Sequence, residues 1–497
     1  MRKGSVTPFC AISLVLVSSL LFAMLESARF CGLRRYAVMK AEAAMDSVCA
    51  EYQPFLWQQY GLLFLDGAYG TGQFSAGYAM EQLGHYMEVD STSADWLKNW
   101  LGVDLFRLEK GEVLLEGYAL AADDNGSLFL NYVAGRMKEK LPWGVAEDLL
   151  EQYREANVVE KEYGGIEASI ANAQDAVAQA KAEWVARQEE ESEKELPMPD
   201  TSIIDNLLSF AGQMCNGDTL HMIFGSLSGI SSDSTRLDKD MCIRKKEEGT
   251  MYLKTETDWY RKLLVLTYLE TYFSNHRSPM EGHLCYEMEY VLCGKDTEAE
   301  NLEGTLERLL LLREAANVVH ILSDSEKMLQ VEEVASVIGL LSGGNYGVAK
   351  AIQLGIVGVW AYAESVLDVR ALVQGEKIPL LKRTSDWTLG LNEIFRVWDT
   401  DMKAKMCSDG LNYTGYLKQL LFMTENQTLA YRMLEVMELG MHRQSKYVNC
   451  RMDHMMIMLR FKVKFTSKPV FSELVAVGEA YRGRYIFSRE IERSYIP

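Results

Sequence analysis

The chain has no surplus of basic residues. Its 497 residues carry 51 lysines and arginines against 70 aspartates and glutamates, a net charge of −19. Nucleic acid is therefore not expected as a partner, because phosphate binding draws on counterion release by Lys and Arg. The same deficit argues against an anionic lipid surface as the main partner of the soluble part. No C-x-x-C occurs among the nine cysteines, at 10, 31, 49, 215, 242, 285, 293, 407 and 450. An odd, unpatterned set argues against a disulfide scaffold. Cys285 with Cys293, or Cys215 with Cys242, remain possible pairs outside the cell; free buried thiols are the expectation. There is no H-E-x-x-H and no Walker loop, so zincin and P-loop chemistry lack their residues. Gly70-x-Gly72 lacks the strand and final glycine of a nucleotide fingerprint, and Gly225-Ser226-Leu227-Ser228-Gly229 misplaces the serine of a hydrolase elbow; both read as loops.

The histidines are few and dispersed, seven in all. His442 and His454 lie among Met433, Met437, Met441, Met452, Met455, Met456 and Met458. That composition would suit a soft metal, but methionine at helical spacing is ordinary core filler. Glu287 and Glu289 point apart on a helix at i,i+2 and do not make an acid pair. Arg313, Glu314 and Asn317 fall near one helical face and fit a buried structural polar network. No catalytic residue, metal, cofactor or small-molecule substrate is expected, and the chain is read as a non-enzyme.

What is present begins at the first line. Phe9 to Leu25 carry no charge, follow Arg2-Lys3-Gly4 and run into Glu26-Ser27-Ala28-Arg29 without a helix break. Some 17 apolar residues approach the length that spans ~30 Å of hydrocarbon at 1.5 Å per residue. A cleaved secretory signal would need a small-x-small site that the Glu26 and Arg29 flank obstructs, so an uncleaved anchor is the expectation. Phe9, Leu14 and Leu21 mark the anchor, and Glu26 and Arg29 its charged exit. From Ala28 to about Ala50, Leu33, Ala37, Ala44 and Val48 recur at helical spacing. Small residues, among them Ala37 and Ala44, suit either an amphipathic stalk or a packing face for a neighbouring anchored subunit. Charge alone is ambiguous on orientation: Arg2 and Lys3 precede the run, whereas Arg29, Arg34, Arg35 and Lys40 follow it.

The expected organisation is linear: residues 1–8 cytoplasmic, 9–25 the anchor, 26–65 a stalk helix, 66–145 mixed, 146–200 a heptad-patterned element with an acidic linker, 201–455 mainly helical, and 456–497 a β-rich tail. Glu112–Leu120 reads as a strand. Ile166, Ile170, Ala173, Val177, Ala180 and Trp184 form a heptad seam, either a surface hairpin on its own chain or a contact for a partner helix. The acidic run Glu189–Glu195 reads as a solvated helix end or linker. Residues 202–260 read as irregular; 258–275, 299–322, 326–342, 345–374 and 413–445 read as helices. The 345–374 helix is apolar enough to span, but Lys350, Gln353 and Glu364 favour a buried core helix. Phe461, Val463 and Phe465 alternate with Lys462, Lys464 and Thr466 as a half-buried strand; Val470–Val477 and Tyr485–Phe487 extend that sheet. The fold class is α+β, predominantly helical, with an N-terminal transmembrane helix and a small C-terminal β element.

The opening R-K-G-S-V-T, apolar helix and E-S-A-R resembles the N-terminus of TadE/TadG-like proteins, the pilin-like components of Tad/Flp pilus systems. Further residues resemble a family of uncharacterised bacterial membrane proteins, classed as a domain of unknown function. They are Glu51-Tyr52, Tyr60–Asp66, Tyr286–Leu292 with Gly294-Lys295, Asn301-Leu302, Arg313 with Asn317, Gly375–Leu380, Asp386-Trp387, Tyr413 with Tyr416-Leu417, and Arg432-Met433. The resemblance implies a single-pass surface protein with its N-terminus inside and its bulk extracellular. It would be a structural or interaction component of a pilus-like envelope assembly, partnered by the membrane and other pilin-like or envelope subunits. One departure bears on processing. Gly4 is present, but the fifth residue after it is Phe9 rather than the glutamate of processed prepilins, so the anchors that lack this glutamate are the closer pattern. The alternative is a membrane-tethered envelope hydrolase, which requires a deep cleft with convergent polar groups. A third reading is a secreted soluble factor with a cleaved signal.

Overall fold

The computed structural model describes residues 6–89, 106, 108–162, 166–190, 198–215, 217–237, 240–252, 258–400, 402–471 and 483–496. The fold is α+β and mostly helical, as expected. Its residues divide into two compact units, each assembled from separated stretches of chain. One comprises Met1–Gly135, Ile243–Glu256 and Met437–Pro497; the other comprises Arg136–Cys242 and Thr257–Val436.

The first unit is built on α1 (Val6–Cys49), 44 residues long, or about 66 Å at 1.5 Å per residue. Pro8 falls in its first turn, where no intrahelical N–H bond is lost. The helix has two halves. Up to Leu25 its large apolar side chains face outward except half-buried Phe22; from Glu26 on, Arg29, Leu33, Ala37, Ala41, Ala44, Met45 and Val48 form a buried stripe at helical spacing. The stripe packs on α3 (Ala76–Val89) and on a sheet, in one core with Leu83, Met87, Leu459, Phe461, Val463 and Phe465. Small side chains at 37, 41 and 44 let these neighbours approach closely.

The sheet is antiparallel and centred on β3 (Met455–Ser467), which pairs with β1 (Leu65–Asp66) and β4 (Tyr485–Ser494) and, along its length, with β2 (Leu108–Leu120). Leu115 faces Phe461 and Phe465 faces Phe487. The period-two alternation of β3 turns Leu459, Phe461, Val463 and Phe465 inward and leaves its basic residues out. There Arg460 pairs with Glu492, Lys462 with Glu116 and Glu490, and Lys464 with Glu112. These exposed pairs keep the outer face solvated. A bulge between Lys110 and Val113 brings Gly111 so close to the Lys464 carbonyl that a Cβ would lie 2.9 Å from it. The short α2 (Pro54–Tyr60) and α4 (Ser127–Met137) complete the unit.

The second unit is helical: α5 (Trp143–Glu162), α6 (Ile166–Glu190), α7 (Ser202–Cys215), α8 (Thr219–Phe224), α9 (Trp259–Tyr272), α10 (Glu287–Cys293), α11 (Glu298–Ser323), α12 (Ser325–Leu341), α13 (Tyr346–Val373) and α14 (Tyr413–Met423). The chain leaves it along α15 (Asn426–His442). At its centre, α13 is buried over nearly all of Gly355–Val373, with α6, α11 and α12 packed around it. It is the core helix that its charges favoured. Helix α11 starts with a reciprocal cap: the Thr297 hydroxyl accepts from the Glu300 amide while the Glu300 carboxylate accepts from the Thr297 amide.

Several expectations change. The stalk helix ends at Cys49, not 65, because Pro54 forces Gln53 into extended backbone and restarts the chain as α2. The region 202–224, expected to be irregular, contains α7 and α8. In α7, Ile204, Leu207, Leu208 and Ala211 make a buried stripe, and the Asp218 carboxylate accepts from the His221 amide to cap α8. The linear domain scheme gives way to discontinuous units: the tail strands β3 and β4 belong with α1. Ile170, Ala173, Val177 and Ala180 of the heptad seam are buried, and α6 packs on α13 of its own chain; Trp184 is half-buried. The Ile166 side chain, most of the acidic run and residues 472–477 lie outside the described residues.

Candidate functional site

The boundary between the two halves of α1 is the best-defined polar site on the first unit. Glu26 and Arg29 stand one turn apart, so their side chains meet on one face, with Arg29 Nη1 donating to Glu26 Oε1 at 2.6 Å. Both are almost wholly buried, at 5% and 7% exposure. Arg29 Nη2 also donates to the Phe106 carbonyl at 2.7 Å, the Ser467 hydroxyl at 2.9 Å and the Lys468 carbonyl at 2.9 Å. The other Glu26 oxygen accepts from the amides of Val470 at 3.1 Å and Phe471 at 2.7 Å. One ion pair thus holds the end of β3 and the turn after it to α1. Burial alone would raise the Glu26 carboxyl, but the Phe471 and Val470 amides, and then Arg29, more than offset this and hold it below the usual range. Aromatic rings surround the clasp: Phe22 stacks on Phe471, Tyr36 on Phe106, and Phe30 packs on Tyr485 and Phe487.

On the N-terminal side of the clasp the expected anchor residues stand open. Phe9 is 70% exposed, Leu14 68% and Leu21 54%. The apolar stretch of α1 is long enough to cross a membrane, and none of it is buried. On the far side, Ala37 and Ala44 are buried in the unit's own core. Of the two readings of these small residues, an amphipathic stalk or a packing face for a neighbouring subunit, the packing within the chain is of the first kind: the close neighbours are α3 and the sheet.

In the second unit, Arg313 and Asn317 meet in a buried polar lattice. Arg313 donates to Asp368 Oδ2 at 2.9 and 3.1 Å, to the Pro379 and Leu380 carbonyls and to the Tyr416 hydroxyl. Asn317 donates to Ser365 and to the same Asp368 oxygen. Lys382 pairs with Asp368 Oδ1 at 2.5 Å and with Glu364, whose oxygens also accept from the Thr388 and Leu389 amides. Burial would raise Asp368, but Lys382 and Arg313 outweigh it and keep the carboxylate below its ordinary range. Every charge here has an opposite neighbour inside hydrogen-bond distance. The lattice ties α11, α13 and the 378–389 loop together, and Arg313, Asp368, Glu364 and Asn317 are at most 1% exposed.

The remaining candidates act on the backbone. Glu287 accepts from the Ser274 amide, Glu289 from the His276 amide and the Tyr413 hydroxyl, and Glu298 from the Cys285 amide. Helix α10 thus aims Glu287 and Glu289 at one loop, Ser274–His276. Burial pushes Glu289 up to about 7, and its second oxygen has no hydrogen bond. Ring nitrogen Nε2 of His442 lies 2.8 Å from the Cys450 carbonyl, and His454 packs on Phe74. Of the surrounding methionines, 433, 437, 441, 452, 455 and 456 are buried as core. Among the described residues, no three of His, Cys, Asp and Glu are grouped to hold a metal. The described cysteines are all free, but only Cys293 and Cys450 are buried, so burial is not their common state.

Sequence reading found Glu26, Arg29, Arg313 and Asn317 but not their partners. Ser467, Val470 and Phe471 lie some 440 residues from Arg29, and Lys382 carries no local signal. Asp368 was detectable as a charge inside an apolar helix, where burial demands a counter-ion.

No curated protein and no solved structure matches the chain. The model of the family of unknown function DUF5702 matches residues 199–467, from just before α7 to the end of β3. With more than half of its length matched, the chain belongs to the DUF5702 family.

Proposed function

We propose that this chain is a single-pass membrane protein whose Phe9–Leu25 segment spans the bilayer and whose residues from Glu26 on fold outside the cell. The observation that carries this reading is the switch along α1. The large apolar side chains from Val6 to Leu25 stand open except half-buried Phe22, and burial begins at Glu26. A soluble protein would leave these side chains in water at ~25 cal/mol per Å². Val6 to Leu25 rise about 30 Å, the thickness of the hydrocarbon core. Because one helix is both span and core element, the anchor is joined to the folded unit without a flexible linker.

The finer reading is a structural or interaction component of a Tad/Flp-pilus-like envelope assembly, oriented N-in. It rests on the resemblance of the opening residues to TadE/TadG-like proteins. A non-catalytic role is supported by the way Glu26, Glu287, Glu289, Glu298, Glu364 and Asp368 are used, bound to amides or cations of their own chain. Deleting residues 2–21 leaves the clasp intact and should move the protein from the membrane pellet to the soluble fraction; retention in the pellet contradicts the anchor. Orientation is tested with a C-terminal tag and external protease on intact cells. Digestion supports N-in, and protection until lysis reverses the topology and removes the pilus reading.

A further inference from the structure

The turn after β3 reaches toward the apolar run rather than away from it. Glu26 binds the Phe471 amide, yet the Phe471 ring stacks on Phe22, with centroids 6.5 Å apart and planes 17° from parallel. Phe22 lies one turn before Glu26, about 6 Å further along the helix axis and inside the uncharged run. A side chain that only packed on the folded unit would have Arg29 and Leu33 of the buried stripe as neighbours. Phe471 instead meets the segment read as membrane-spanning. Two cations flank the turn: Lys468 and Arg484 are half exposed, at 47% and 52%, and lie 3.5 and 3.3 Å from opposite oxygens of Glu109.

We propose that the turn at Val470-Phe471 is a second, peripheral membrane contact, with the Phe471 ring seated in the interfacial layer of a phospholipid bilayer beside Phe22. Aromatic rings favour this layer, and long basic side chains next to it extend their charged ends to headgroups. The surface is continuous with the span, which identifies lipid as its occupant. The contact fixes the height of the first unit: α1 sets where the helix leaves the bilayer, and Phe471 stops it from sliding outward. The proposal rests on the single-pass reading above.

The test uses the full chain in vesicles of phosphatidylcholine and phosphatidylglycerol. The photo-crosslinker p-benzoylphenylalanine replaces Phe471, Leu14 or Trp57 in separate variants. Trp57 is exposed and follows the far end of α1. Lipid adducts are read by mass after irradiation, and a thermal melt matching the parent protein shows that the 471 variant keeps its clasp. The expected result is an adduct yield at 471 close to that at 14 and severalfold above that at 57. Adduct at 14, with 471 no higher than 57, overturns the peripheral contact and leaves the anchor standing. No adduct at 14 removes the anchor and the contact together. If the 471 variant melts early, Phe471→Trp gives the same depth reading through the brominated-lipid quenching it adds over that of the parent chain's nine native tryptophans.

Discussion

The first half of α1 and the helix α13 are both long and apolar, yet they meet opposite fates. Phe9–Leu25 carries no charge and stands bare. Helix α13 is buried on nearly every side, with Glu364, Asp368 and Arg370 inside it. Length and apolarity do not separate them; the charges do. A bilayer offers no partner for a carboxylate, whereas the second unit supplies Lys382, Arg313 and the Thr388 and Leu389 amides, and gives Arg370 the Met222 carbonyl. A helix that brings charges with their partners is built for a protein core, whereas the uncharged, uncovered half of α1 is long and apolar enough to cross a membrane.

The comparison breaks most visibly where partners are withdrawn. Arg313→Met removes one of the two cations that pair with Asp368, leaving it Lys382 and the Asn317 amide, and strands two loop carbonyls, so chemical denaturation should show a loss of about 3–5 kcal/mol. A loss within experimental error would mean that the lattice does not sustain α13. Placing a charge in the other helix should act elsewhere. Leu14→Asp is expected to oppose insertion by ~2.5–3.5 kcal/mol, reducing the membrane-bound fraction while the unfolding midpoint of the detergent-extracted protein stays put. A lowered midpoint with unchanged membrane content would make Leu14 a core residue.

Two buried carboxylates sharpen the same contrast through pH. Asp368 sits among cations and is held below its ordinary range, so its contribution is present above the unfolded value and is lost as pH falls through the folded one. Glu289 has no cationic partner among the described residues and is pushed up to about 7 by burial. Its contribution is full below about pH 4.5, the ordinary value, and is lost as pH rises through 7, by about 3 kcal/mol in all. Glu289→Gln should therefore stabilise the protein at pH 8 and have little effect at pH 4.5, in melts across that range. Equal effects at both ends would show that the carboxyl does not titrate there. The smallest effect compares the halves of α1: Ala41→Leu should cost about 1–3 kcal/mol by overpacking the first unit, whereas Leu21→Ala should leave its melting unchanged.

What could be read from the sequence follows from range. The apolar run, the β3 alternation and the α6 seam were legible because each is a periodic pattern within some ten to thirty residues. Helix α7 was missed because serines, glycines and a broken region around 225–235 obscured its stripe at Ile204, Leu207, Leu208 and Ala211. The discontinuous first unit was not legible: Leu115 pairs with Phe461, and nothing local to either strand names the other. The clasp was half legible. Glu26 and Arg29 are conspicuous where an apolar run ends, but the amides they bind come from the far end of the chain. Ala37 and Ala44 show the same limit, since small side chains reveal a close contact without revealing with what.

Two native cysteines on α1 test the central claim most directly. Cys10 lies in the apolar run and Cys31 just beyond the clasp, and both are exposed on the protein surface. Open membrane fragments carrying the full chain would be treated with a water-soluble maleimide, before and after denaturation, and each cysteine read by peptide mass. The account predicts that Cys31 reacts in the membranes and Cys10 reacts only after denaturation. Equal reaction of both in intact membranes would place the apolar run in water and contradict the anchor.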